Sequence, residues 1–241
     1  MKTIVIAQNK GGSCKTATAT ALWTGLNLRG YKSLAIDLDG QCNFSDGAGA
    51  ESTPNVLDFM SGTVSDEAIQ TIDGMDVIAG TSELYNVTFN DTTRLREALQ
   101  PMQDRYSCCI IDTPPAIDTF TVNALTAADS VIIPVTPDIN TLRGLSRLAN
   151  VIDDIRKQEN ADIVIEGLLL TRYKSNTSLS RDMIQTLKDV AYNLNTTLFD
   201  VYIRDCIKVA EAPARTENLM RDYPHSTAAE DYNKLIDLLL Q

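Results

Sequence analysis

The chain has 241 residues and a hydrophobic content of 44%, which suits one α/β domain of ordinary size and excludes a disordered chain. Its formal net charge of −11 excludes a body that attracts nucleic acid as a whole, so any such contact must come from a local basic patch, doubled by dimerisation. Five cysteines, two of them adjacent at Cys108 and Cys109, argue for reduced thiols and against a disulfide framework.

No apolar run approaches the roughly 20 residues that cross a bilayer, and the N-terminus enters a strand pattern without signal-peptide regions. The expectation is a cytoplasmic protein. No repeat, low-complexity tract or linker divides the chain, so a single domain over 1–241 is the simplest organisation.

The apolar run Thr3–Ala7 predicts a buried strand, and Ala17–Leu28, rich in Ala and Leu, predicts a helix ended by Gly30. Between them lies Gln8-Asn9-Lys10-Gly11-Gly12-Ser13-Cys14-Lys15-Thr16. Strand, glycine loop and helix form a phosphate-binding context, because backbone N–H groups and the helix dipole meet an anion there. Lys15 would reach the outer phosphates and the Thr16 hydroxyl would hold Mg²⁺. The common G-x-x-x-x-G-K-[ST] pattern fails, since its glycines fall on Asn9 and Cys14; what stands is K-G-G-x-x-K-T.

Lys32–Leu38 predicts a second strand, followed by Asp39-Gly40-Gln41-Cys42-Asn43 at its carboxyl end, where open α/β sheets bind ligands. Pro54–Gly80 holds short elements, including a strand at Met75–Ala79, and Thr93–Met102 predicts a helix. The strand Tyr106–Ile111 ends in Asp112-Thr113-Pro114-Pro115. An acid at that place orders Mg²⁺ and its waters; the competing reading is a strand-ending turn. Helix Phe120–Ala128, strand Ser130–Val135 and a turn at Thr136–Asp138 follow. Next come helix Asn140–Lys157, strand Ala161–Thr171, helix Ser180–Leu194 and strand Leu198–Ile203. A polar loop over Arg204–Ala214 with a short helical start leads to the closing helix Thr227–Leu240. Alternating strands and helices predict a mostly parallel, doubly wound sheet covered on both faces.

Lys10-Gly11-Gly12-x-x-Lys15-Thr16, Asp37-Leu38-Asp39-x-Gln41-x-Asn43, Ile110-Ile111-Asp112-Thr113-Pro114-Pro115, Asn123-Ala124-Leu125-x-Ala127-Ala128-Asp129, Pro134-Val135-x-Pro137, Ala210-Glu211-Ala212-Pro213 and Ser226-x-x-Ala229-x-x-Tyr232 together resemble the ParA-type partition ATPases of the deviant P-loop ParA/MinD family. The resemblance spans nearly the whole chain and is nearest to the small, Soj-like type. It implies ATP and Mg²⁺ as cofactors, with the phosphates bound from Lys10 through Ala17 (Gly11, Gly12, Ser13, Cys14, Lys15 and Thr16 between). Lys10 would reach the partner's nucleotide across an ATP-dependent homodimer. Asp39 would position the attacking water, and Thr16, Asp39 and Asp112 would surround the metal. Thr171, Arg172, Ile203, Arg204 and Asp205 would flank the adenine. Non-specific DNA would be held by Lys208, Lys174 and Arg181, with Arg172 and Arg204 as further cations on that side; the competing reading is a solvated mixed-charge face. A ParB-like partner would stimulate hydrolysis, and the ATP-bound form would sit on the nucleoid.

The chain departs from that pattern at Cys14 and Cys42, where the family has glycine, at Gly40, where it has proline, and at Arg204-Asp205-Cys206, where it has Pro-Arg-Asn. A cysteine at a helix N-terminus beside a lysine suggests a lowered thiol pKa, and so an oxidation switch at Cys14 and Cys42; the competing reading is a small residue in a tight loop. A MinD-like membrane switch fits less well, because the closing helix is acidic and no membrane contact is expected. A metal-cluster relative fits least, with Cys108 and Cys109 inside a strand.

Overall fold

The computed structural model describes residues 1–62, 66–175 and 178–241. In chain order it contains β1 (Lys2–Ile6), α1 (Lys15–Leu28), β2 (Ser33–Asp37), α2 (Asn43–Ala48), α3 (Val56–Ser61), β3 (Ile69–Ile72), β4 (Met75–Ile78) and α4 (Arg94–Leu99). There follow β5 (Cys108–Asp112), α5 (Thr119–Ala127), β6 (Ser130–Val135), α6 (Ile139–Gln158), β7 (Val164–Leu170), α7 (Ser178–Asn193), α8 (Lys208–Ala214), α9 (Leu219–Asp222) and α10 (Thr227–Leu239). Local chemistry sets many boundaries. Asp118, Asn218 and Ser226 accept N–H bonds as N-caps of α5, α9 and α10, and Asn55 with Asp58 closes a capping box on α3. Gly30, at φ 83°, ends α1 by donating to Asn27 while Tyr31 donates back to Leu26.

The seven strands of the described residues form one sheet in the order β3-β4-β2-β5-β1-β6-β7, parallel except for β3 against β4. Alternation sorts the side chains onto two cores. Val5, Leu34, Ile36 and Ile111 face a core shared with α3 to α7, and Ile4, Ile6, Ala35 and Ile110 face one shared with α1, α2, α9 and α10. Register brings Ile6, Asp37 and Asp112 level across β1, β5 and β2. The polar residues that follow these three strands therefore emerge at one edge of the sheet.

Three expectations are corrected. Leu198–Ile203 is not a regular strand: Phe199 donates to Leu168 and Ile203 to Leu170, so four steps of the segment face two of β7 and the excess bulges out of the ladder. The helix in Arg204–Ala214 lies at its end, as α8, and not at its start. Pro101 stops α4 at Leu99, and the chain continues as a 3-10 turn, Gln100–Met102. The hairpin strand β3 and the helices α2, α3 and α9 went unpredicted. Of the Pro54–Gly80 stretch, residues 63–65 lie outside the described residues.

Gly25 on α1 has no room for a side chain, since an added Cβ would stand 2.3 Å from Ile236 Cδ1 on α10. Ile236 is fully buried and cannot swing to solvent. Gly25→Val should therefore cost about 2 kcal/mol or more of stability. Urea unfolding checks this, and an unchanged midpoint would refute the α1–α10 packing.

Candidate active site

The phosphate loop leaves β1 and enters α1 through two left-handed residues, Gly12 at φ 74° and Cys14 at φ 65°. Glycine adopts that conformation freely, whereas a cysteine there costs on the order of 1 kcal/mol. Cys14 is the N-cap of α1 and its side chain caps no N–H. The first turn of α1 holds no acid, so the positive end of the helix is left for an external anion. Thr171 braces the loop from below, its hydroxyl donating to Ser13 O at 3.3 Å and to Val135 O at 3.2 Å.

Above the loop opens a cavity of about 670 Å³. Gly11 to Ala17 form its floor; Asp39, Gln41 and Asn43 stand on one side, and Arg172 with Ile203 to Ile207 on the other. The structure thus brings together Gly11 to Ala17 of the predicted loop with Asp39, Arg172, Ile203, Arg204 and Asp205, and leaves Thr171 as a buried support. Val209, Ala210 and Tyr232 also line the cavity. The sequence placed Ala210 and Tyr232 in motifs but gave them no role. Tyr232 is wholly buried, its hydroxyl 3.0 Å from that of Thr18.

Behind the floor lies a group of buried charges. Lys15 is 6% exposed, Asp39 8%, and Asp37 and Asp112 not at all. Burial pulls the Lys15 pKa down, against the pull of Asp112 and Asp39. Burial pushes Asp37 up to about 6, although it accepts bonds from Ser45 N, Ser45 Oγ and Asp39 N. Asp112 is pushed well up, by burial first and by Asp37 second, with Thr16 and Lys15 pulling back. Neither Asp112 oxygen has a hydrogen-bond partner, which is costly in a buried carboxylate unless a cation or its water shell supplies one. Thr16 and Asp112 thus fit a hydrated divalent cation. No group of three or more His, Cys, Asp or Glu among the described residues could hold a metal alone, so the remaining ligands must come from phosphate oxygens and water.

Lys10 does not line the cavity. Its ammonium pairs with Asp138 at 2.8 Å and donates to the hydroxyls of Thr136 and Thr141 at 3.3 and 3.4 Å. The expected DNA-facing cations also have acidic partners on their own chain. Asp205 binds Lys174 at 3.0 Å and Arg172 at 3.5 Å, and Lys208 binds Glu211 at 2.8 Å. Arg204 is tied to Asp231 and Glu230 of α10, which makes it a clamp on the cavity wall. Arg181 is exposed on α7.

Between the two readings of Cys14 and Cys42, burial favours the small residue in a tight loop over the reactive thiolate. Burial pushes the Cys14 thiol up, outweighing Thr171, Arg172 and Lys15. Burial and the charges of Asp37, Asp46 and Asp39 push Cys42 up to about 11. What the sequence could not show is that both cysteines occupy left-handed positions, Cys42 at φ 55° as the N-cap of α2. Cys109 is fully buried in the core.

The chain is similar to several known proteins in sequence and in fold. The profile of a family described as an AAA domain matches residues 1–165. The sporulation initiation inhibitor protein Soj of Bacillus subtilis is 32% identical over 250 residues, covering 96% of this chain and 95% of Soj. The chromosome partitioning protein ParA of Caulobacter vibrioides is 36% identical over 228 residues, covering 89% of this chain and 84% of ParA. Among solved structures, an ATP complex of Cyanothece McdA superposes with a TM-score of 0.86 at 25% identity, covering 100% of this chain and 96% of that one. The cobyrinic acid a,c-diamide synthase of Mycobacterium smegmatis, with a bound ATP analogue and magnesium, gives 0.85 at 26% identity, covering 100% and 94%.

Two expectations follow. Both thiols stay protonated at neutral pH, so iodoacetamide should label Cys14 and Cys42 more slowly than an exposed cysteine, with labelling read by mass spectrometry. Rapid labelling of Cys14 would restore the oxidation switch. For Asp112, a folded pKa above the unfolded value of roughly 4 means that stability falls as pH rises between the two. Asp112→Asn should reduce that slope, leaving the share of Asp37, and raise the stability of the ligand-free protein at pH 7 by about 1–3 kcal/mol. Thermal melts at pH 5 and pH 7 measure both effects.

Proposed function

The chain belongs to the ParA/Soj family of ATPases, and on that premise we propose that it is an ATP-driven DNA-segregation switch. ATP would close a homodimer, the dimer would hold DNA without sequence preference, and a ParB-like centromere-binding partner would trigger hydrolysis and release. The observation that carries the reading is Asp112, a fully buried carboxylate whose charge is opposed only by Thr16 and Lys15, two residues that line the 670 Å³ cavity. In the catalytic reading, the α1 N-terminus and Lys15 bind the phosphates, and Thr16 and Asp112 hold Mg²⁺ with Asp39 beside it. Bound Mg²⁺ neutralises charge on the phosphate oxygens. Asp39 orients the attacking water, and positioning and electrostatics supply most of the rate. The wall from Arg172 to Ile203–Asp205 receives the base.

Lys10 is the residue proposed to cross the dimer. In the free chain it is folded back on Asp138, so crossing requires that pair to break. A MinD-like membrane reading is disfavoured by α10, whose apolar residues Ala228, Ala229, Tyr232, Leu235 and Ile236 are buried in the core. No helix of the described residues is long and apolar enough to cross a membrane.

Lys15→Ala should abolish ATP binding, whereas Asp39→Ala should bind ATP, fail to hydrolyse it and give a long-lived dimer. Lys10→Ala should bind ATP and remain monomeric. Equilibrium binding, phosphate release and light scattering separate these outcomes, and a wild type that stays monomeric at saturating ATP would sink the dimer. DNA binding should require ATP and weaken steeply with salt. Lys208→Ala should weaken it uniformly across sequences, and Asp205→Asn, which removes an acid paired with Arg172 and Lys174, should strengthen it. Equal binding with and without ATP would count against the reading.

A further inference from the structure

We propose that Tyr85 is a positioning residue for ATP hydrolysis, one that holds the Asp39 loop by roofing Gly40 and gripping Gln41. The inference rests on Asp39 as the water-orienting group.

Tyr85 lies on a 3-10 turn, Ser82–Asn86, just beyond β4. It is 60% exposed, so core packing does not account for it. Its ring lies against Gly40: a Cβ built there would stand 2.9 Å from Cε2 and Cζ and 3.1 Å from Cδ2. Gly40 is buried. The Tyr85 hydroxyl accepts a bond from the Gln41 amide Nε2, and the Gln41 backbone N–H donates to Asp39 Oδ1 at 3.0 Å. The carboxylate is thus two bonds from the tyrosine.

The turn that carries Tyr85 is itself anchored to the same loop. Gly80 N donates to Ser45 Oγ at 2.8 Å, and Ser45 Oγ donates to Asp37 Oδ2 at 2.7 Å. A Cβ on Gly80 would meet Asp37 Cγ at 3.0 Å and Asp39 O at 3.2 Å, so backbone and loop pack without a gap. Thr81 caps the turn and Leu84 is buried beneath it. The tyrosine therefore projects from a fixed base over the most conformationally free residue of the loop, and its ring supplies a restraint that glycine lacks.

The test is single-turnover ATP hydrolysis without partner, alongside MgATP affinity and thermal stability. Tyr85→Ala should lower the rate roughly tenfold with affinity and Tm unchanged, because the loop loses position and not nucleotide contacts. Gly40→Ala, whose Cβ displaces the ring, should lower it similarly, and the double variant should be no slower than either single one. Tyr85→Phe isolates the hydroxyl and should fall between wild type and Tyr85→Ala. A Tyr85→Ala rate within about twofold of wild type, or multiplicative losses in the double variant, would overturn the proposal. So would a parallel loss of Tm and affinity, the mark of a merely structural residue. Asp39→Ala in the same assay separates the two layers: an inactive Asp39→Ala beside a fully active Tyr85→Ala defeats only the role of Tyr85, and an Asp39→Ala as fast as wild type defeats the reading beneath it.

Discussion

A buried lysine among buried carboxylates sets the terms for the rest of the structure. Lys15 stands at the start of α1, and Asp37 and Asp112 end neighbouring strands in register. Two carboxylates level across a sheet repel each other in a low dielectric, and one ammonium cannot fully satisfy both. Asp37 is relieved by Ser45 and the loop backbone, whereas Asp112 has only Thr16 and Lys15 to oppose its burial. The fold therefore carries an unfavourable term whose natural remedy is a cation between Asp112 and bound phosphates. A protein that stores such a term gains it back on binding.

The same edge explains why the chain tolerates two cysteines where tight turns favour glycine. Cys14 and Cys42 both adopt left-handed conformations immediately before helices that open onto the cavity. The strain belongs to the loops that must contact a ligand, and the packed sheet behind them over-determines it. Desolvation at this edge raises the Cys14 pKa even at a helix N-terminus. The dipole argument made from sequence treated the loop as exposed, and burial reversed its sign.

Much of the architecture was legible because parallel strands buried on both faces read as continuous apolar runs, as in Ile4 to Ala7 and Ile110 to Ile111. The misses have physical causes. Strand β3, Ile-Gln-Thr-Ile, is half-exposed and carries no such run. The segment 198–203 is apolar enough for a strand, but its spacing against β7 shows only in three dimensions. At the site, Gly11 to Ala17, Asp39 and Ile203 to Asp205 line one cavity while Lys10 turns to Asp138, and the role of Asp37 as the anchor of α2 depends on Ser45, eight residues away and unmarked by any pattern.

Charge pairing links the two surfaces on which the proposed activity depends. Asp205 lines the nucleotide cavity and at the same time holds Arg172, also in the cavity wall, and Lys174 outside it. A ligand that drew Arg172 away from Asp205 would leave that carboxylate to Lys174 and tighten the remaining pair. Exposed pairs of this kind are each worth little, on the order of 1 kcal/mol or less, so they can be exchanged for phosphate contacts at small cost. A chain of net charge −11 therefore need not present a standing basic face to bind DNA. For the DNA contact proposed above, cations held by their own acids have only to exchange a weak exposed pair for a phosphate, and the exchange costs little.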